Sequence, residues 1–188
     1  YVKRTPDMNV LPSTWAFKIK RFPDGSVKKF KAHFCARGDR QKEGLDFFET
    51  WAPVMQCSSI QIVMVLTAKL GLHSVQCDIT AAFIHGRVPP DEKIYAHQPR
   101  GFKRGNGTEV LCLRRTLYGL PQSLRYFYKY FTGHLVKRGL TPSNFDPCLF
   151  LSSSLIVIIY VDDILIYGRN ENEIDDFIAQ MKTEDVAL

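Results

Sequence analysis

A chain of 188 residues with a hydrophobic fraction of 45% is long enough for one ordinary domain, or for two subdomains sharing a core, and is not a disordered segment. Its net charge of +6 favours a polyanionic partner such as nucleic acid, although basicity alone does not establish one. Cys35, Cys57, Cys77, Cys112 and Cys148 form no CxxC pair, which argues against zinc and a disulfide framework and points to free thiols in a reducing compartment. The start, Tyr1-Val2-Lys3-Arg4-Thr5-Pro6, has no apolar leader core, and the most apolar run is too short to span a bilayer, so no membrane partner is expected. A first residue other than Met and a helix-like end read as a piece of a longer protein.

The first predicted element is a β-hairpin. Trp15-Ala16-Phe17-Lys18-Ile19-Lys20-Arg21 alternates apolar and basic residues, Pro23-Asp24-Gly25-Ser26 is a turn, and a second strand runs from Val27 to Arg37. One face of this hairpin is basic, which also suits a solvated edge strand. A helix is expected over 58–70, capped by Ser58 or Ser59 and ended by Gly71. It is apolar nearly all round and should be buried, with Met64 in the core. In the strand over 75–80, Val75, Cys77 and Ile79 share one face, and Gln76, Asp78 and Thr80 the other. Short strands follow at 94–96 and 110–113. Pro121 opens a second helix over 122–138 with an apolar stripe of Leu124, Tyr128, Phe131 and Leu135, ended by Gly139. An apolar hairpin and a helix over 172–182, with Ile174, Phe177, Ile178 and Met181 inward, complete the pattern. The fold class is α+β, an antiparallel sheet with helices packed on one face and Asp78 and the aspartate pair on the other.

That last hairpin holds the most informative residues. Asp162 and Asp163 lie between the aliphatic runs Leu155-Ile156-Val157-Ile158-Ile159-Tyr160-Val161 and Ile164-Leu165-Ile166-Tyr167. Removing one unpaired carboxylate from water costs several kcal/mol, of the order of a small fold's whole stability, and two adjacent ones cost more unless positive charge sits beside them. A divalent cation answers this, because hard oxygen ligands hold Mg²⁺. If neighbouring strands bring Asp78 to the pair, two ions about 3.5–4 Å apart form a clamp for in-line phosphoryl transfer. A doubled Asp is often only a turn; the aliphatic strands on both sides argue against that here. His33, His73, His85, His97 and His134 show no metal-ligand spacing.

Tyr160-Val161-Asp162-Asp163 resembles the YxDD turn of reverse transcriptases. Asp78 followed by Phe83 resembles their first metal-binding strand with its aromatic gate, and Leu117-Tyr118-Gly119-Leu120-Pro121-Gln122 resembles their nucleotide-contacting helix opening. Trp15 to Lys20, Asp24-Gly25-Ser26, Gln41 to Asp46 and Ala52-Pro53-Val54 resemble the copia-type LTR retrotransposon branch in particular. Pro121, Ala81, Trp51 and Leu124-Arg125-Tyr126-Phe127 depart from residues usual in that branch, and none of these departures removes a metal ligand.

The resemblance implies an RNA-directed DNA polymerase, with right-hand fingers over 1–53 and 86–126 and palm over 54–85 and 127–188. The primer grip and thumb would lie beyond. It implies Asp78, Asp162 and Asp163 as catalytic carboxylates holding two Mg²⁺ ions, replaceable by Mn²⁺, with the Ile79 backbone beside them. Phe83 would stack beneath the deoxyribose and select against a 2′-OH. Backbone at residues 79–82, including Ala82, would approach the triphosphate, and Tyr160 and Gln122 would touch substrate or template. Lys31 is the candidate triphosphate contact from the hairpin, with Arg37 the second choice. Implied partners are an RNA or DNA template–primer, a dNTP, and polyprotein domains (integrase upstream, RNase H downstream). The implied location is intracellular, in a cytoplasmic virus-like particle or the nucleus. Two other classes stay open: a catalytically dead relic or nucleic-acid-binding module with the same fold, and another two-metal palm enzyme.

Overall fold

The structure, a computed structural model, describes residues 1–183. Strands β1 (Val2–Lys3), β2 (Val10–Leu11), β3 (Ser13–Arg21) and β4 (Val27–Ala36) come first. Helix α1 (Cys57–Leu70) leads into β5 (His73–Asp78), and short strands β6 (Ile94–Ala96) and β7 (Glu109–Leu113) precede helix α2 (Ser123–Lys137). Strands β8 (Thr141–Pro142), β9 (Leu149–Leu151), β10 (Leu155–Tyr160) and β11 (Asp163–Gly168) and helix α3 (Glu171–Thr183) follow. The protein is thus mixed α and β. No helix among the described residues is long and apolar enough to cross a membrane.

The chain divides into two compact units, Tyr1–Thr50 with Gly86–Tyr126, and Trp51–His85 with Phe127–Leu188. In the first, a four-stranded sheet has the order β1-β7-β6-β2, with β2 and β6 parallel, beside the separate hairpin β3–β4. The hairpin turn closes as its sequence dictates: the Asp24 carboxylate accepts hydrogen bonds from the Ser26 amide and hydroxyl, and Gly25 takes φ +86°. The foot of β4 meets the Leu117–Leu120 loop at a backbone crossing that admits no side chain. A Cβ on Gly119 would stand 2.2 Å from the Ala36 carbonyl oxygen, and one on Gly38 would stand 2.1 Å from that of Gly119. Leu11, Ala36, Ile94 and Leu120 form the core beneath this crossing.

The second unit is built on a five-stranded sheet of order β5-β11-β10-β9-β8, antiparallel throughout. Its centre is the β10–β11 hairpin, with Ile158 opposite Leu165 and Tyr160 opposite Asp163. Residues directly opposite share a face. One face therefore carries Leu155, Val157, Ile159, Ile164 and Ile166, each buried, with α3 above it. Ile174 of that helix stands so close that a Cβ on Gly168 would lie 3.2 Å from it.

The opposite face is divided along its length. At one end Ile156, Ile158, Leu165 and Tyr167 pack with Val63 of α1. At the other end stand Tyr160, Asp163, Gln76 and Asp78. This corrects the expectation of helices on one face only. The apolar end of the aspartate face also needs cover, and α1 supplies it.

Helix α1 departs from expectation in a second way. Of its apolar residues only Val63 is buried, while Ile62, Met64, Val65, Leu66 and Leu70 are exposed. Met64 is not a core residue. Apolar side chains surround the helix, but the sheet meets only one side of it. Gly71 ends the helix in the left-handed region (φ +62°), as expected. The N-terminal cap is neither Ser58 nor Ser59. The wholly buried Asp146 takes the role from 90 residues away, accepting hydrogen bonds from the Gln56 amide, the Cys148 amide (both 2.9 Å) and the Ser59 hydroxyl. Burial alone would raise the Asp146 pKa; the three hydrogen bonds outweigh it and hold the carboxyl below its ordinary value.

Two predictions follow from this packing. Asp146→Ala leaves three donors unsatisfied and should cost about 2–4 kcal/mol in urea unfolding. Because the folded pKa is depressed, the carboxylate's contribution is fully present above the unfolded value near ~3.9 and is lost as pH falls through the folded value. The gap between wild type and variant should therefore narrow below about pH 4; a gap that widens there contradicts the assignment. The second concerns the hairpin turn, where Val161 holds φ +56°. Strain in that region runs to about 1–3 kcal/mol for a non-glycine residue. Glycine relieves it and itself loses about 0.5–1 kcal/mol of chain entropy. Val161→Gly should raise the urea midpoint by about 1 kcal/mol equivalent; a lowered midpoint would show that the side chain's contacts dominate.

Candidate active site

The three sequence-predicted aspartates lie at one end of the second unit's sheet. The register places Asp163 directly opposite Asp78, so both side chains leave the same face. Asp162 occupies the two-residue turn, and the Ile79 amide just past β5 donates to its carbonyl oxygen at 2.8 Å. Tyr160, about half exposed, lies opposite Asp163 on that face. Asp78 is exposed, Asp162 and Asp163 are half-buried, and the Oδ1 atom of Asp162 is shielded from solvent. The Gln76 amide donates to Asp163 Oδ1 at 3.0 Å and steadies that carboxylate.

The local chain is strained on both sides of this cluster. Ala81 and Val161 are the non-glycine residues with positive φ among those described, at +54° and +56°. One follows Asp78 by three residues, and the other immediately precedes Asp162. Val is β-branched and particularly ill suited to this region. Strain of this kind persists only where surrounding structure over-determines it, and it concentrates at functional sites. After β5 the chain enters a 3-10 turn, Ala82–His85. Ile79 and Ala82 are buried there and Phe83 is half-buried. The His85 ring donates from Nε2 to the Thr80 carbonyl oxygen at 3.1 Å and stacks on Tyr130 at 5.8 Å, so it serves the turn structurally.

The donor set suits a hard divalent cation in kind: three carboxylates and a backbone carbonyl, all oxygen. It is not closed. Among the described residues no three His, Cys, Asp or Glu side chains stand together as a formed metal site. Gathering an ion here requires the carboxylates to turn toward one another, which the exposed Asp78 is free to do at low cost.

The remaining predicted residues lie in the first unit. Gln122 is wholly buried at the start of α2, and neither its Oε1 nor its Nε2 has a hydrogen-bond partner. Each buried amide group left so costs about 1–3 kcal/mol. Arg37 is exposed but engaged: Nε and a terminal nitrogen each donate to Asp39 at 2.7 Å, and this pairing raises its pKa. That places it behind Lys31 as an anion contact. Lys31 sits directly opposite Lys18, and Lys29 opposite Lys20. Like charges directly opposed across strands cost up to about 1 kcal/mol per pair. Burial, and then the charge of Lys31, push the His33 pKa down beside them. Positive charge is thus concentrated on this face of the hairpin.

Sequence reasoning missed several residues around these sites. Asp146 gave one signal, an acidic residue inside the apolar stretch Phe145 to Phe150. Glu92 gave none; it accepts the Tyr126 hydroxyl, and burial followed by that carboxylate raises the tyrosine pKa. The backbone strain at Ala81 and Val161 has no signature in residue type, since neither is glycine.

Comparison with known proteins joins these observations. The profile of the family described as reverse transcriptase (RNA-dependent DNA polymerase) matches residues 1–186. The chain is 34% identical over 178 residues to the retrovirus-related Pol polyprotein from transposon TNT 1-94 of Nicotiana tabacum, covering 92% of this chain and 13% of that polyprotein. It is 34% identical over 170 residues to the corresponding polyprotein from transposon RE2 of Arabidopsis thaliana, covering 88% and 12%. The Ty1-BL Gag-Pol polyprotein of Saccharomyces cerevisiae is 28% identical over 188 residues, covering 97% and 10%. The chain thus spans about an eighth or less of these relatives' lengths. With a family match over nearly its full length, and relatives named as transposon Pol polyproteins, the chain belongs to the reverse transcriptase (RNA-dependent DNA polymerase) family, on its LTR-retrotransposon branch.

Proposed function

We propose that this chain is the fingers and palm portion of a polymerase that extends a primer by nucleotidyl transfer from dNTPs on an RNA or DNA template. The Trp51–His85 and Phe127–Leu188 unit is the palm, and the other unit is the fingers. The observation that carries the reading is the pairing of Asp163 with Asp78 beside the strained Val161-Asp162 turn. Asp78 and Asp162 would be the principal ligands of two Mg²⁺ ions, with the Ile79 carbonyl and Asp163 completing the set. When bound, the ions would supply a lowered pKa for the attacking primer 3′-hydroxyl and charge stabilisation for the departing pyrophosphate oxygen.

The chain's own residues hold and orient the reactants. The adjoining aliphatic strands, with Ile159 and Ile164 buried beside the turn, fix the carboxylates to a rigid base. Phe83 lies in the turn three residues beyond Thr80 and offers its ring to the deoxyribose, discriminating against a 2′-hydroxyl. Tyr160 touches the primer–template from the aspartate face. Gln122, wholly buried with its amide unmatched within the protein, makes its hydrogen bonds to nucleotide or template once the start of α2 shifts to uncover it. Lys31 is the triphosphate contact, supported by the opposed lysines around it. The remaining Pol domains, integrase and RNase H, are partners in the full polyprotein.

Magnesium-dependent addition of one dNTP to a DNA primer on an RNA template tests the assignment. Asp162→Asn should reduce incorporation at least about a thousandfold while leaving the thermal melt in place. Retained incorporation in that variant would overturn the metal site. Gln122→Met removes both unmatched amide groups while keeping the side chain's length. It should hold or raise stability by about 1 kcal/mol and raise KM for dNTP or template. A destabilised variant with unchanged KM would make Gln122 a structural residue.

A further inference from the structure

The face of the β3–β4 hairpin away from the lysines is aromatic and open. Trp15, Phe17 and Ile19 alternate along β3, opposite Phe34, Ala32 and Phe30 of β4. The Trp15 ring centre lies 6.2 Å from that of Phe17 at an interplanar angle of 20°, 5.5 Å from Phe34 and 5.7 Å from Phe102. Rings arranged this way usually form a core. Here Phe17 is 77% exposed and Phe102 is 67% exposed, so their faces meet solvent. Trp15 is pinned at the centre, its indole N–H donating to the Arg100 carbonyl oxygen at 3.1 Å. Trp15, Phe34 and Phe102 open onto a cleft of about 580 Å³, which Tyr1, Lys103 and Arg104 also line, with the Arg104 guanidinium 5.3 Å from the Tyr1 ring centre.

The charge around this cleft has one sign. The run Pro99-Arg100-Gly101-Phe102-Lys103-Arg104 carries three cations and no acid, and all three are exposed. An apolar protein partner would need to desolvate them without gain. A polyanion with flat apolar faces uses both features at once: phosphates meet the cations and bases stack on the rings. A duplex keeps its bases stacked on one another and so cannot use the rings. We propose that Phe17, Trp15 and Phe102 form a stacking platform for unpaired bases of single-stranded nucleic acid, with Arg100, Lys103 and Arg104 holding its phosphates. The platform rests on the polymerase reading only for its role, which is to hold the template strand where it is not paired. It requires neither the aspartates nor a metal.

The test is fluorescence anisotropy with a labelled, unstructured 20-nucleotide single-stranded DNA and its blunt duplex, in EDTA and without nucleotide. Replacing both Phe17 and Phe102 by Ala should weaken single-strand binding by about a hundredfold, about tenfold per ring, with duplex binding within about twofold of wild type. Replacing both by Tyr should restore it. A second measurement does not remove any ring of the platform. The chain has two tryptophans, so in a Trp51→Phe variant the emission of Trp15 alone should be quenched by the single strand and not by the duplex. Equal single-strand affinity in the double Ala variant, an equal loss on duplex, or absent quenching would each overturn the platform. So would a change in sedimenting mass with nucleic-acid affinity unaltered, which would assign the face to protein association. A polyprotein containing this chain that binds the single strand in EDTA but extends no primer with Mg²⁺ would sink the polymerase reading and leave the platform standing; the converse result would do the reverse.

Discussion

The register of the β10–β11 hairpin is the constraint on which the candidate site depends. With side chains alternating across the sheet, a slip of one residue would send Asp163 to the face opposite Asp78 and exchange the residues packed beneath α3 with those packed beneath α1. The register holds because Val157, Ile158, Ile159, Ile164 and Ile166 are all buried, which contributes on the order of 10 kcal/mol. A two-residue turn with positive φ at a valine works against it by about 1–3 kcal/mol. Burial outweighs that strain severalfold. The apolar run, rather than any local preference of the turn, sets where the aspartates stand.

The same sheet explains how one face serves two purposes. Its apolar end needs cover, and α1 supplies it through Val63. Its polar end carries Tyr160, Gln76, Asp78 and Asp163, and Tyr160, Gln76 and Asp78 are exposed there. The division holds only if α1 stays in place along the strands, and its N-terminus is fixed by a buried carboxylate on the segment leading into β9. Asp146 thus acts on the site through packing, without belonging to it. The thiol of Cys148 in the same segment is pushed up to about 12 by burial and then by that carboxylate, which leaves it unreactive.

Local order was legible in the sequence where local rules decide it. The alternating runs around Asp24-Gly25 gave β3 and β4, and Gly71 and Gly139 marked the ends of α1 and α2 within a residue or two. The aliphatic strands flanking Asp162-Asp163 gave a hairpin with the aspartates at its tip. What depends on distant partners was not legible. A helix apolar all round looks buried, but α1 meets only as much surface as the sheet offers. Its cap came from 90 residues away, while two serines suited to capping stood at its own start. The side chain of Gln122 reads as polar and available, and is buried. Arg37 reads as a free cation because a sequence does not disclose that Asp39, two residues on, accepts from two of its nitrogens.

Several features conflict with the rules that the rest of the chain obeys. Carboxylates crowd the end of an apolar sheet, lysines face lysines across a ladder, an amide is buried without partners, and large aromatic rings lie in water. Each conflict is costly by itself, and a sequence consistent elsewhere keeps such costs mainly where function requires them. The chemistry that would relieve each is specific: a divalent cation for the carboxylates, phosphate for the lysines, a base edge for the amide, a base face for the rings. Four unrelated ligands could satisfy these separately. Phosphate, base edge and base face are all parts of a nucleic acid, so the three features of the first unit call for one class of ligand, and a divalent cation is a natural companion of the same phosphates.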